Sequence, residues 1–200
     1  SLSFSLTAAG YQTAISKYVA ADSAKRPSGN LKPLLAGISI TLPLSLVTNA
    51  ILFFSADPIG IFLLKDHRTV PMLRILSFSV PFAALHACIN GYFYGKKKAS
   101  VPALTQLLEQ LARVSCVFLV TGADLAEGRT PSINAAVLGL TVGEIFSMLI
   151  ALVCLYIHLY PDSSILSLQN ICPSVPVYRD LLGMALPLTA NRIVLNILQS

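Results

Sequence analysis

Residues 80–113 read VPFAALHACINGYFYGKKKASVPALTQLLEQLAR and decide the fold of this chain. An apolar, aromatic segment ends at three consecutive lysines, and a second apolar segment begins after a proline. The second segment carries Gln106, Glu109, Gln110 and Arg113. The first half predicts a membrane-spanning helix that ends at the cytoplasmic side. The second half places charges where lipid would disfavour them, so we expect the functional site there.

The composition is that of a polytopic membrane protein. Of the 200 residues, 54% are hydrophobic and 12% are charged, whereas soluble domains carry about 25% charged residues. A water-soluble protein with so few charges could not cover its surface. The net charge of +5 is typical of cytoplasmic loops beside anionic lipid, and there is no polar face on which Lys and Arg cluster as in a nucleic-acid site.

Six segments are long and apolar enough to cross a bilayer, which takes about 20 residues. They comprise residues 1–21, 33–54, 71–94, 101–123, 133–160 and 181–200. The sequence begins and ends inside apolar segments, which predicts a fragment of a longer membrane protein. The connector after the second segment contains the apolar run IGIFLL, for which we expect a short interfacial helix.

Positive charges in the connectors predict the orientation of the spans. The first, third and fifth connectors together hold seven Lys and Arg residues, and the second and fourth hold three. We therefore expect the odd connectors in the cytoplasm, among them the lysine run at residues 96–98.

The polar residues of the fourth span fall on one side of its helix. Their spacing is i, i+3, i+4 and i+7, as in Gln106, Glu109, Gln110 and Arg113. At 1.5 Å per residue, Arg113 lies about 18 Å along the helix, near the bilayer middle. Such a stripe has to face protein or water, so we expect a vestibule open to the cytoplasm. The alternative is an internal Glu109–Arg113 pair that only holds helices together.

The sixth span repeats this theme with Thr189, Arg192, Asn196 and Gln199 along one face. Arg192 is expected about 16 Å from the cytoplasmic start of its helix. Two deep arginines on different helices suit an anionic ligand, because guanidinium groups match phosphate oxygens.

Other residues within the spans have simpler interpretations. Glu144 either pairs with an arginine or carries a coupling proton or ion, and His86 is expected to pack rather than to carry protons. A stripe of small residues in the fifth span predicts close helix packing and no chemistry. It consists of Ala135, Gly139, Gly143 and Ser147.

Signatures of soluble enzymes and metal sites do not occur in the sequence. It contains no GxSxG, GxxxxGK[ST], HExxH or GxGxxG, and its four cysteines are far apart. We therefore expect no catalytic residue, no metal and no cofactor, and we interpret the chain as not an enzyme. A non-transporting scaffold stays open, although it would not explain the one-sided polar stripe.

Four stretches resemble a known transporter family: TAISKYVA, GYFYGKKKASVPALTQLLEQLAR, AAVLGLTVGE and ALPLTANRIVLNILQS. They are similar to the stage V sporulation protein B-like proteins. These form part of the polysaccharide-transporter branch of the multidrug/oligosaccharidyl-lipid/polysaccharide flippase superfamily. The lipid II flippases are related proteins. The most diagnostic part is GYF-x-G followed by P-A-x-x-Q-x-x-E-Q-x-x-R. Relatives commonly have Arg at the position of Asn90, so the resemblance supplies no ligand-binding arginine there.

The resemblance implies an all-α, MATE-like flippase fold of two related bundles, with about six transmembrane helices present in this chain. Residues 1–180 would form spans 2–6 of the first bundle, and residues 181–200 would be the truncated first helix of the second. It also implies a transporter of the bacterial cell membrane, with roles in polysaccharide, peptidoglycan or sporulation pathways. The cargo would be an undecaprenyl-linked saccharide, moved from the inner to the outer leaflet by alternating access.

The implied substrate-binding residues are Arg113, Glu109, Gln106, Gln110, Arg192 and Asn196. The arginines would attract the pyrophosphate, Glu109 would orient Arg113, and the amides would meet sugar hydroxyls. The partners would be the lipid-linked saccharide, membrane lipids and a coupling proton or sodium ion, with no nucleic acid. The alternative is a cation-coupled multidrug or metabolite antiporter on the same fold, in which buried carboxylates should outnumber buried basic groups.

Overall fold

The computed structural model describes residues 10–25, 31–63, 69–126, 134–159 and 175–198. Within these ranges the chain forms six long helices and no strand. They are α1 (Gly10–Lys25), α2 (Lys32–Phe54), α3 (Thr69–Gly95), α4 (Ser100–Ala126), α5 (Asn134–Leu159) and α6 (Val175–Leu198). The all-α polytopic membrane architecture expected from the sequence is confirmed.

Four helices are long and apolar enough to cross a membrane, namely Lys32–Phe54, Thr69–Gly95, Ser100–Ala126 and Ala135–Leu159. They correspond to the second to fifth predicted spans, which are therefore confirmed to within a few residues. The first and sixth predicted spans are helical in their described parts, α1 and α6. The protein is a multi-pass membrane protein.

The sixth helix begins earlier than the sequence predicts. It starts at Val175 rather than at residue 181. Pro176 favours this start, because the fixed φ of proline suits a first helical turn and its missing N–H has no partner there. Arg179 and Asp180 precede the predicted span, but the structure includes them in the helix, because helix ends at a membrane surface accommodate charged groups.

The described part of the connector after α2 is helical, as its apolar run predicts. Ala56–Pro58 forms one α-helical turn and Ile59–Leu63 a π-helical segment. Three prolines lie inside α2, α3 and α6, at Pro43, Pro81 and Pro187.

Helix α3 lies at the centre of the bundle. It packs against α1, α2 and α5, and most of its residues from Ser77 to Gly95 are buried. Helix α6 packs against α1 and α2, while α4 packs mainly against α5 and meets α3 only slightly. A space therefore remains between α4 on one side and α1 and α3 on the other.

Helix α4 turns an apolar face outwards. Leu107 and Phe118 are 57% and 78% exposed, whereas Thr105 and Glu109 are buried. In water such a face would be an aggregation hazard, but in a bilayer it contacts lipid tails that are equally apolar.

The turn between α3 and α4 is closed by two backbone hydrogen bonds. Lys98 N–H donates to the Phe93 carbonyl and Lys97 N–H to the Tyr94 carbonyl, both at 3.0 Å, which is the Schellman pattern. Lys97 has φ of 58°, a left-handed conformation usually taken by glycine. The chain thus has a lysine at a position where glycine would be less strained. The lysine places a positive charge at the C-terminal end of α3, where the helix dipole stabilises positive charge.

Glycine permits the close approach of α1 and α3. A methyl group at Gly91 would lie 2.6 Å from the carbonyl oxygen of Gln12, which belongs to the main chain and cannot rotate away. Lipid tails provide no hydrophobic force between helices, so close van der Waals contact of this kind holds them together.

We predict that Gly91→Ala destabilises the chain by about 1–3 kcal/mol, because the added methyl group forces α1 away from α3. Thermal unfolding of the purified chain in detergent, followed by circular dichroism, measures the change. Gly122→Ala is the matched control, because nothing lies within 4 Å of its added methyl group. The control should melt at the same temperature or higher, and an unchanged melting temperature for Gly91→Ala would contradict the close contact.

Candidate functional site

A cavity of about 650 Å³ lies between α1, α3 and α4, with α5 at its back. Its apolar lining is mostly alanine. Its polar lining comes from four helices and consists of Gln12, His86, Asn90, Gln106, Glu109, Gln110 and Glu144. Such a concentration of polar groups inside an apolar bundle marks the candidate site.

The cavity extends from near the lysine turn towards the bilayer middle. At 1.5 Å per residue from Ser100, Ala103 lies about 5 Å and Gln110 about 15 Å along α4. Asn90 lies about 8 Å from the end of α3 at Gly95 by the same measure. The structure therefore contains a cavity where the sequence predicts a vestibule, and its opening to the cytoplasm stays a prediction.

Three members of the polar stripe line this cavity, namely Gln106, Glu109 and Gln110. Arg113 lies beside it and donates from Nη2 to Glu109 Oε1 at 2.5 Å and from Nη1 to Gln110 Oε1 at 3.4 Å. The Arg113 Nε is buried and has no hydrogen-bond partner among the described residues. The guanidinium thus compensates the Glu109 charge and keeps one buried donor unused, which is uncommon in proteins.

A buried hydrogen-bond network centres on His86. Asn90 Nδ2 lies 2.7 Å and Ser147 Oγ 3.0 Å from its Nε2. Ser147 Oγ also donates to the carbonyl of Thr105 at 3.3 Å. Because these residues lie on α3, α4 and α5, the network fixes how the three helices are rotated relative to one another.

Two carboxylates face the other ring nitrogen of His86. Glu109 Oε2 lies 3.9 Å and Glu144 Oε2 3.8 Å from Nδ1. The nitrogen and oxygen atoms of His86, Glu109 and Glu144 that could bind a metal ion lie within 4.8 Å of one another. The three side chains are at most 15% exposed. A histidine and two carboxylates at this separation can share a proton, and the same residue types serve as ligands of small cations such as Zn²⁺.

Two residues of the network do more than the sequence predicts. His86 is buried and satisfied, as expected, but its neighbours include two carboxylates. Ser147 belongs to the small-residue stripe interpreted as packing alone, and that interpretation is wrong because it hydrogen-bonds to His86 and Thr105. One signal was available: Asn90 follows His86 by four residues, so both lie on one helix face.

The packing role of the small-residue stripe is confirmed for its glycines. A methyl group at Gly143 would lie 3.3 Å from the Glu109 carbonyl, and one at Gly139 would lie 3.0 Å from the Arg113 carbonyl. These glycines let the main chain of α4 approach α5 closely. The approach brings Glu109 towards Glu144 on α5.

The second predicted arginine lies on α6. Arg192 and Asn196 are within this helix, but their side chains lie outside the described residues. Because α6 begins at Val175, Arg192 stands about 26 Å along it, further than the predicted distance of about 16 Å. A ligand held between Arg113 and Arg192 therefore stays a prediction.

Comparison with known proteins agrees with this architecture. The family described as Polysaccharide biosynthesis protein matches residues 4–200. Stage V sporulation protein B of Bacillus subtilis (strain 168) is 32% identical over 197 residues, which cover 98% of this chain and 38% of that protein. The chain thus spans less than half the length of this relative, and no solved structure matches it significantly. The chain belongs to the polysaccharide biosynthesis protein family, whose members are of the transporter or flippase type.

Proposed function

We propose that this chain is part of a flippase for an undecaprenyl-linked saccharide, such as a lipid II-like or polysaccharide precursor. The flippase would move its cargo from the inner to the outer leaflet of the bacterial cell membrane by alternating access. The family match supports the general role. The observation that carries the proposal is the cavity of about 650 Å³, polar within an apolar bundle. No bond is made or broken, so the proposal needs no catalytic residue or cofactor.

The amides of the cavity suit a saccharide head group. Gln12, Asn90, Gln106 and Gln110 reach it from three helices. Each amide offers donors and an acceptor side by side, and so can bind sugar hydroxyls, which both donate and accept. The carboxylates of Glu109 and Glu144 would add acceptors at the deep end.

Arg113 is the proposed contact for the pyrophosphate. Its buried Nε has no partner among the described residues, so it could donate to a phosphate oxygen. Glu109 holds the guanidinium in place. Arg192 and Asn196 would contribute from α6 in a state that brings the two helices together.

We further propose that transport is coupled to a proton shared by His86, Glu109 and Glu144. These groups face one another from α3, α4 and α5, and Arg113, also on α4, contacts Glu109. Gaining a proton makes the cavity less negative, which would raise its affinity for an anionic head group. A sodium ion at the same cluster is the alternative.

A cation-coupled multidrug or metabolite antiporter is the second candidate. It is favoured by one observation: Glu109 and Glu144 line the cavity, whereas Arg113 lies beside it. The ligands would then be organic cations attracted by the carboxylates.

We predict that an undecaprenyl-pyrophosphate disaccharide raises the melting temperature of the purified chain and that tetraphenylphosphonium does not. Gln106→Ala should weaken this binding about fivefold, because it removes one or two hydrogen bonds to the sugar. Ser115→Ala is the control, since this exposed polar residue lies on the opposite side of α4. Stabilisation by the organic cation alone would contradict the flippase and favour the antiporter.

We predict that Arg113→Ala, in the intact transporter that carries this chain, lowers translocation of the lipid-linked precursor into vesicles at least about tenfold. Arg113→Lys should retain part of the activity, because it keeps the charge and loses the fork geometry. Unchanged transport by Arg113→Ala at normal expression would exclude this role.

We predict that Glu144→Gln flattens the pH dependence of translocation, because the amide keeps the shape of the side chain and cannot titrate. Asp124→Asn, near the outer end of α4 and outside the cavity lining, should leave the pH profile unchanged. The same pH profile in Glu144→Gln and the parent would contradict proton coupling. Dependence on a sodium gradient instead would assign the cluster to sodium.

A further inference from the structure

A second, smaller cavity lies at the end of the bundle that carries the lysine turn. Its volume is about 310 Å³, and it is enclosed by the end of α3, the start of α4 and the end of α5. Its lining residues are Phe93, Lys98, Val101, Cys154, Ile157 and His158. None of them lines the larger cavity, so the two spaces are separate.

Two basic side chains meet at the rim of this cavity. Lys98 Nζ lies 3.1 Å from His158 Nδ1. Lys96 and Lys97 belong to the same turn, and no carboxylate occurs among the described residues that line the cavity. The backbone of Lys98 is fixed there, because its N–H closes the end of α3 on the carbonyl of Phe93. The rim therefore concentrates positive charge at a defined place.

The remaining lining is apolar and continues to the outside of the bundle. Phe93 is 1% exposed and forms the floor, while Ile157 is 62% exposed and forms the outer edge. The Phe93 and His158 rings lie 5.6 Å apart. A cationic rim thus borders directly on an apolar slot that opens towards the side where lipid lies.

We propose that this cavity binds an anionic phospholipid of the cytoplasmic leaflet. The phosphate would accept hydrogen bonds from Lys98 and His158, and the glycerol and upper acyl chain would lie in the slot beside Ile157. The lysine turn is expected at the cytoplasmic face, and basic pockets between helices on this side suit anionic head groups. Free phosphate would match the rim but would leave the apolar slot unused, so a phospholipid fits the whole cavity better.

Native mass spectrometry tests this proposal. The purified chain is mixed with lipid in detergent and then released from the detergent, and the lipid that stays bound is identified. Phosphatidylglycerol should be retained in preference to zwitterionic phosphatidylcholine. Lys98→Gln should weaken phosphatidylglycerol binding about tenfold more than Lys97→Gln, because it also removes a charge-assisted hydrogen bond. The two variants are matched, since each removes one positive charge from the same turn and Lys97 does not line the cavity.

Cys154→Trp tests the apolar slot without changing any charge. The larger side chain should fill the slot and lower phosphatidylglycerol retention about tenfold, while circular dichroism checks that the helices remain intact. Unchanged phosphatidylglycerol retention in this folded variant would overturn the proposal. Equal weakening of phosphatidylglycerol binding by Lys98→Gln and Lys97→Gln would also overturn it, as would retention of phosphatidylcholine equal to that of phosphatidylglycerol. If inorganic phosphate displaces bound phosphatidylglycerol as effectively as added phosphatidylglycerol does, the rim is a site for free phosphate instead.

Discussion

The rotation of α4 about its own axis depends on the cost of placing charge in lipid. An ionised side chain at the bilayer centre costs at least about 2.5–3.5 kcal/mol, so Glu109 has to face protein. It is buried and paired with Arg113 one turn away. This orientation turns the apolar side of α4 towards lipid, and the glycines of α5 let the two helices lie close together. The large cavity follows, because α4 leans on α5 and barely touches α3.

Sequence reasoning succeeds where one helix alone carries the signal. The four central spans follow from apolar length, and the inward face of α4 follows from the spacing between Gln106 and Gln110. It fails where several helices contribute. His86, Glu109 and Glu144 come from three helices, and no spacing along the chain predicts that they meet. The start of α6 was misplaced for another reason: charge distribution alone does not distinguish a helix end at the membrane surface from a connector.

In the proposed flippase, sugar binding and proton binding would share Glu109 and Glu144. Linkage then requires each ligand to change the affinity for the other by the same factor. A proton that neutralises the cluster would favour an anionic cargo, and the bound cargo would in turn favour the proton. The hydrogen bond between His86 and Ser147 would transmit this change to the packing of α3 against α5. Under this proposal, cargo and coupling ion would need no separate sites within this part of the flippase.

The contact at Gly91 also limits how the sequence can change over evolution. The atom that blocks a larger side chain is the carbonyl oxygen of Gln12, and every amino acid has this oxygen. No replacement at position 12 can therefore make room for a side chain at position 91. Compensation would have to come from a displacement of the whole of α1, which would also disturb its packing against α2 and α6. Most buried contacts can change in evolution when two touching side chains are replaced together. This route is closed to Gly91, so second-site mutations that restore stability after its replacement should be rare.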